Sequence, residues 1–208
     1  MDFDPSYVVA DLDQLTALYP PALERSLRKQ IDHLDQHCRA FIAASPLVLM
    51  GTQAGESTDV SPRGDLPGFV EVANDRTLLL PDRRGNNRLD TLKNLIANPS
   101  IGLLFLVPGV NEAFRVNGTA IVSHDPQLCN RFAVNGQAPR TVIIVKVKEV
   151  YIHCSRALVR ADLWNPAKMA IDRKVPTMGQ VLEAHTSGFV EAEKFDEAMK
   201  TDVPRTLY

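Results

Sequence analysis

Cysteine, long apolar runs and an excess of either charge are all scarce in this chain. Only Cys38, Cys129 and Cys154 occur among 208 residues, an odd number at wide spacing with no C-x-x-C pair. That argues against a disulfide framework and against a cysteine-based zinc site. The formal net charge is −2, so no global field favours nucleic acid or an anionic membrane, and any anion site must be local. No apolar run reaches the roughly 18 residues of a membrane span. The start, Met1-Asp2-Phe3-Asp4, is acidic where a secretory leader is basic. The expectation is a cytoplasmic protein with no nucleic-acid or membrane partner. G-x-G-x-x-G and Walker A motifs are also missing, as is any regular βαβ alternation, which counts against a Rossmann fold.

What is present is an ordinary globular balance, 45% hydrophobic and 23% charged, which suits one domain with a substantial core and helical extensions. After Pro20-Pro21, apolar residues at Leu23, Leu27, Ile31, Leu34, Cys38 and Phe41 recur in steps of three or four, which predicts one amphipathic helix to about Ala44. Strand-like runs follow at 46–52, 57–63, 69–72, 77–80, 101–107, 113–123 and 141–153, separated by Gly, Asn-Asp and Pro breakers. Helical patterns interrupt them only at 87–97, 125–133 and 155–163. Six or seven strands with so few helices predict an α+β fold, an antiparallel barrel or sandwich with flanking helices. Three regions result: a helical extension over 1–45 packed on the barrel, the barrel over 46–164, and a helical tail over 165–208, in which Thr177 is placed to cap a helix.

Three windows carry chemistry. In "LLLPDRRGNNRLDTLKNL", Leu78 to Leu95, a strand turns into a helix through Gly85, Asn86, Asn87 and Arg88. A helix N-terminus offers free N–H groups and a positive dipole end; Asn86 is placed to cap it and Arg88 to fork onto phosphate oxygens. A cap beside a solvated Arg83, Arg84 and Arg88 face is the competing reading. In "ESTDVSPRGD", a period of two puts Ser57, Asp59, Ser61 and Arg63 on one face and Thr58, Val60 and Pro62 on the other. Pro62, lacking an N–H, predicts a sheet edge or strand end. In "AFRVNGTAIV", Arg115, Asn117 and Thr119 alternate with Phe114 and Val116.

The ordered run "DVSPRG", "LLLPDRRGNNRLDTLKNLIANPSIGLLFLVPG", "FRVNGTA" and "TVIIVKVKEVYIHCSRALVRADLW" resembles the pyridoxamine 5′-phosphate oxidase-related family of FMN-binding split barrels. The resemblance covers about Pro46 to Trp164. It implies FMN as cofactor, with Thr58, Val60, Ser61, Pro62 and Arg63 on the strand that passes the flavin and Pro81-Asp82 at the end of another. Asn86, Asn87 and Arg88 stand where the oxidases carry Ser-Arg-Lys on the phosphate, and Arg115 lies on a strand bordering the flavin. It also implies a homodimer with the flavin in the subunit interface, and hydride transfer between flavin N5 and a nicotinamide donor or a small substrate, itself unknown. Tyr151, Arg160 and Trp164 are the nearest substrate-side residues. The ending "HCSRALVRADLW" departs from the oxidases towards a flavin-nucleotide-binding subgroup, which argues against vitamin B6 oxidation. Two other outcomes of the same barrel stay open: flavin binding or sensing without turnover, and a deazaflavin or haem ligand. No metal is expected; His33 and His37 have helical spacing but no third ligand nearby.

Overall fold

The computed structural model describes residues 3–169 and 175–208. Met1 and Asp2 of the acidic start, and residues 170–174 of the expected tail, lie outside the described residues. The chain divides after Ile31 into two compact units. The first holds α1 (Leu12–Leu18), capped by Asp11, whose carboxylate accepts the Gln14 N–H at 2.8 Å, and α2 (Glu24–Arg28). Its described residues through Gln30 are all exposed.

The second unit opens with α3 (Gln36–Ala44). The single helix expected from Leu23 to Ala44 is therefore two helices with a break. Asp35 accepts the His37 and Cys38 N–H groups and starts a new helix, while the Leu34 N–H goes instead to the Asp75 carbonyl at 2.7 Å. His33 precedes α3, so it does not share a helix face with His37; its Nδ1 meets Asp32 at 3.1 Å. Cys38 and Ile42 turn the buried side of α3 inward. Burial, and then the Asp35 carboxylate, push the Cys38 thiol up to about 11.

Seven strands follow: β1 (Leu47–Ala54), β2 (Ser57–Gly64), β3 (Glu71–Asn74), β4 (Thr77–Pro81), β5 (Ser100–Leu106), β6 (Ala113–Ser123) and β7 (Val142–His153). They form one antiparallel sheet in the order β2-β1-β5-β6-β7-β4-β3. With α4 (Asp90–Ala97) and α5 (Pro126–Asn130) between strands, and α6 (Arg156–Ala161), α7 (Met178–His185) and α8 (Ala192–Arg205) after them, this is the α+β split-barrel arrangement. The two edge strands, β2 and β3, do not pair with each other, so the sheet is split rather than closed. Among the described residues no helix is long and apolar enough to cross a membrane.

Register explains the core. Cross-strand partners share a face, and Val48 stands opposite Phe105, which stands opposite Phe114; Met50, Leu103 and Val116 form the next rung. These side chains are buried, several to 0% exposure. The outward face carries the alternate residues, and at its β4–β7 end Cys129 of α5 and Phe132 just after it pack against Leu79 and Val142. An irregularity interrupts the pattern where β6 meets β7. Asn117 pairs with Glu149 but Gly118 with Val147, which leaves Lys148 as an extra residue. A Cβ on Gly118 would lie 2.2 Å from the Lys146 carbonyl oxygen, so only glycine fits there.

At the other end of the chain, Thr177 caps α7 in a reciprocal capping box with Gln180. Tyr208 returns to the barrel: its hydroxyl donates to Asp65 at 2.6 Å, and Arg83 Nε donates to the other Asp65 oxygen at 2.7 Å. Burial pushes the Asp65 carboxyl up, but hydrogen bonds from Tyr208, the Leu66 amide and Arg83 outweigh it, so it lies below the ordinary carboxylate value.

Candidate functional site

The edge strand β2 breaks the apolar rule of the face it belongs to. Arg63 pairs with Val48, Ser61 with Met50 and Asp59 with Thr52, so the polar residues of β2, not its apolar ones, face the core side. The alternate residues Thr58, Val60 and Pro62 face outward and are exposed, Val60 to 72%. Pro62 sits on an edge strand, where its missing N–H costs no ladder bond.

What accepts this polar row is α4. Its buried side presents Thr91 and Asn94 beside Leu92 and Leu95. Thr91 Oγ1 donates to Asp59 at 2.6 Å, lies 3.0 Å from Ser61 Oγ, and receives Arg63 Nη2 at 3.3 Å. Asn94 donates to Thr52 at 3.2 Å. Arg63 Nη1 then reaches Asp82, just past β4, at 2.9 Å. Side-chain exposures of 26% and 14% make this a partly buried ion pair. Burial pushes the Asp82 carboxyl above its ordinary value, and the Arg63 charge and hydrogen bond offset only part of that. Arg63 Nε is buried with no hydrogen-bond partner among the described residues, an orphaned donor inside a polar cluster.

Beyond Asp59 the row opens into a cavity of about 340 Å³, lined by Thr58, Asp59, Arg88, Asp90, Lys93 and Asn94 among others. The helix expected from Asn87 begins at Asp90, because Asn87 and Leu89 have φ of 60° and 62°, a left-handed backbone that an α-helix cannot continue. Asn86 does not cap α4. Its side chain accepts the Arg88 N–H at 3.1 Å in a local turn, and no side chain caps the helix. Arg88 Nε holds Asp90 at 2.8 Å while its side chain stays 75% exposed, and Lys93 stands 4.0 Å from the same carboxylate. Two cations thus flank a helix end whose first N–H groups lack a side-chain acceptor, a donor set suited to a phosphate.

The remaining expected residues lie elsewhere. Pro81 is buried at the end of β4 opposite Val142. Arg115 occupies the outward rung that runs from Pro62 through Leu49 and Leu104 to Tyr151, so within one chain it is on the opposite face from Arg63. Its guanidinium stacks 4.1 Å from the Tyr151 ring centroid and meets Glu149 at 3.3 Å, and Asn117 donates to the same carboxylate at 2.7 Å. Trp164 donates its indole N–H to the Val110 carbonyl at 2.8 Å, and Arg160 is exposed on α6. Thr91, Lys93 and Asn94 were not among the sequence-predicted site residues. The available signal was two polar residues spaced three apart on the side of α4 that also carries Leu92 and Leu95.

The family model of pyridoxamine 5′-phosphate oxidase matches residues 34–154, more than half of the chain, and the chain belongs to that family. Among solved structures it is similar to a variant of HupZ from Group A Streptococcus, with 16% identity, a TM-score of 0.49, and coverage of 58% of this chain and 99% of that one. It is also similar to General Stress Protein 26 from Bacillus anthracis, with 16% identity, a TM-score of 0.42, and coverage of 54% and 88%. The FAD binding protein from Mycobacterium smegmatis matches with 15% identity, a TM-score of 0.41, and coverage of 59% and 97%. No curated protein matches the chain.

Proposed function

We propose that the protein is a cytoplasmic FMN-dependent oxidoreductase that works as a homodimer. The observation that carries this reading is the polar cluster on the core-facing side of β2, continuous with the cavity at the start of α4, where Arg88 and Lys93 stand beside Asp59 and Asp90. The residues fit the cofactor. Arg88 and Lys93, the Thr58 hydroxyl and the uncapped α4 N–H groups would hold the phosphate; releasing Arg88 from Asp90 costs little, because that pair is exposed. Among the described strands β2 pairs only with β1, so its outer edge offers backbone N–H and C=O groups to a flavin pyrimidine edge, which alternates acceptor, donor and acceptor. Arg63 Nε is a donor in want of an acceptor, suited to the charge that gathers near N1 and C2=O on reduction. When bound, FMN supplies hydride transfer at N5.

Arg115 and Arg63 cannot face one flavin within a single chain. A two-fold dimer that sets the outward face of one chain against β2 of its partner reunites them, and Arg115 with Tyr151 would then complete the partner's site. The first test is the absorbance spectrum of protein purified without added cofactor, with mass analysis of what heat releases. Two flavin bands and released FMN are expected, and Arg88→Ala should lose the colour; a colourless protein that takes up no FMN on titration sinks the reading. Turnover with a nicotinamide donor separates catalysis from binding alone. Subunit mixing tests the dimer: Arg63→Met and Arg115→Met chains, each colourless, should recover flavin in mixed dimers and not in either parent.

A further inference from the structure

The outward face carries a second recess, away from the polar row of β2. Across β4, β7 and β6, Thr77, Lys146 and Thr119 stand in one rung, and Ile144 stands opposite Ile121 in a neighbouring rung. These residues, with Arg76 at one side, line a cavity of about 540 Å³, within the roughly 300–1,000 Å³ of small-molecule sites. Its chemistry is lopsided. Ile121 is 63% exposed there, an apolar wall in water. Among the described residues no acidic side chain lines the cavity, and Arg76 reaches Asp32 at 2.8 Å. Lys146 has no ion-pair partner among the described residues, and the two threonine hydroxyls flank it.

We propose that this recess binds a small monocarboxylic acid with an apolar body. The Lys146 ammonium and the Thr77 and Thr119 hydroxyls take the carboxylate, and Ile121 and Ile144 take the body. The Lys146 charge matches one carboxylate, and a wholly polar anion would leave the isoleucines in water. The site uses none of the residues assigned to the cofactor, although Thr119 lies on the same outward face as Arg115, two outward positions further along β6.

The test is calorimetric titration of the full chain with octanoate, and with octanamide as the neutral analogue of equal length. Octanoate should bind and octanamide should bind at least about tenfold more weakly; Lys146→Gln should weaken octanoate by roughly tenfold, the size of one charge-assisted hydrogen bond. Ile121→Asp should abolish binding and leave the oligomeric state unchanged, and Lys146→Gln should keep the flavin titration of the unaltered protein. Absence of octanoate binding, equal affinity for the amide, or indifference to Lys146→Gln overturns the proposal. So does a change of oligomeric state in Ile121→Asp, which would make the recess a contact between copies, or loss of flavin uptake in Lys146→Gln.

Discussion

One face of one sheet is built in two ways. Through β1, β5 and β6 its rungs are Val48, Phe105 and Phe114, then Met50, Leu103 and Val116; at the edge the same rungs end in Arg63 and Ser61. The inner strands bury side chains that need only volume, and their stability comes from area removed from water and close packing. The edge strand buries groups that must be matched one by one, and α4 supplies the matches through Thr91 and Asn94. A polar row at core-facing positions costs desolvation that an apolar row would avoid. It marks where this sequence departs from the cheapest fold, and such departures concentrate at functional sites.

The largest expected effect breaks the apolar half. Phe105→Ala, at 0% exposure, should cost about 4 kcal/mol of unfolding free energy by transfer and cavity terms. Chemical denaturation measures it, and a loss under about 1 kcal/mol would mean the site collapses around the cavity. Next, Arg63→Met should cost about 3 kcal/mol by leaving Asp82 buried without its partner. The double variant Arg63→Met with Asp82→Leu should regain most of that stability but not flavin binding. If flavin uptake returned with stability, the pair would be structural and not part of the site.

Thr91→Val keeps the shape and removes the hydroxyl that joins Asp59, Ser61 and Arg63. A loss of about 1–2 kcal/mol is expected by denaturation, and no loss would show that these three groups re-pair without α4. The smallest effect sharpens the contrast between carboxylates. Asp65 is held below its ordinary value of 3.8, so the stability it contributes is complete above that value and lost as pH falls through the depressed one. Asp65→Asn should therefore flatten the acid side of the stability profile below about pH 4. Parallel profiles for the two proteins would refute this account of Asp65.

The strands were legible because alternation and breakers are local signals: β6 lies over the predicted residues 113–123, and Pro62 marked the edge. What was not legible depended on backbone state or on partners distant in sequence. Nothing in "GNNRLD" announces that Leu89 will take a left-handed conformation and delay α4 to Asp90. The repeat from Leu23 to Phe41 hid a break, since Leu34 pairs with Asp75 across the fold. Both Arg63 and Arg115 could be read as site residues, but only strand register assigns them to opposite faces. Thr91 and Asn94 acquire meaning only when the polar side of β2 is seen beneath them.

The extra residue at Lys148 gives β7 something like a reading frame. On one side of it Val145 and Val147 point to the core; on the other the inward positions are Val150 and Ile152, three residues on from Val147 instead of two. A regular ladder that took Lys148 in as a paired residue would be a frameshift in three dimensions: either Tyr151 and Glu149 turn into the barrel and Val150 into water, or the whole preceding half of the strand inverts. Deleting Lys148, by contrast, would leave every side chain on its present face. The charged and aromatic cluster around Arg115 is thus kept on its face by the bulge at Gly118, which sets Lys148 aside from the ladder.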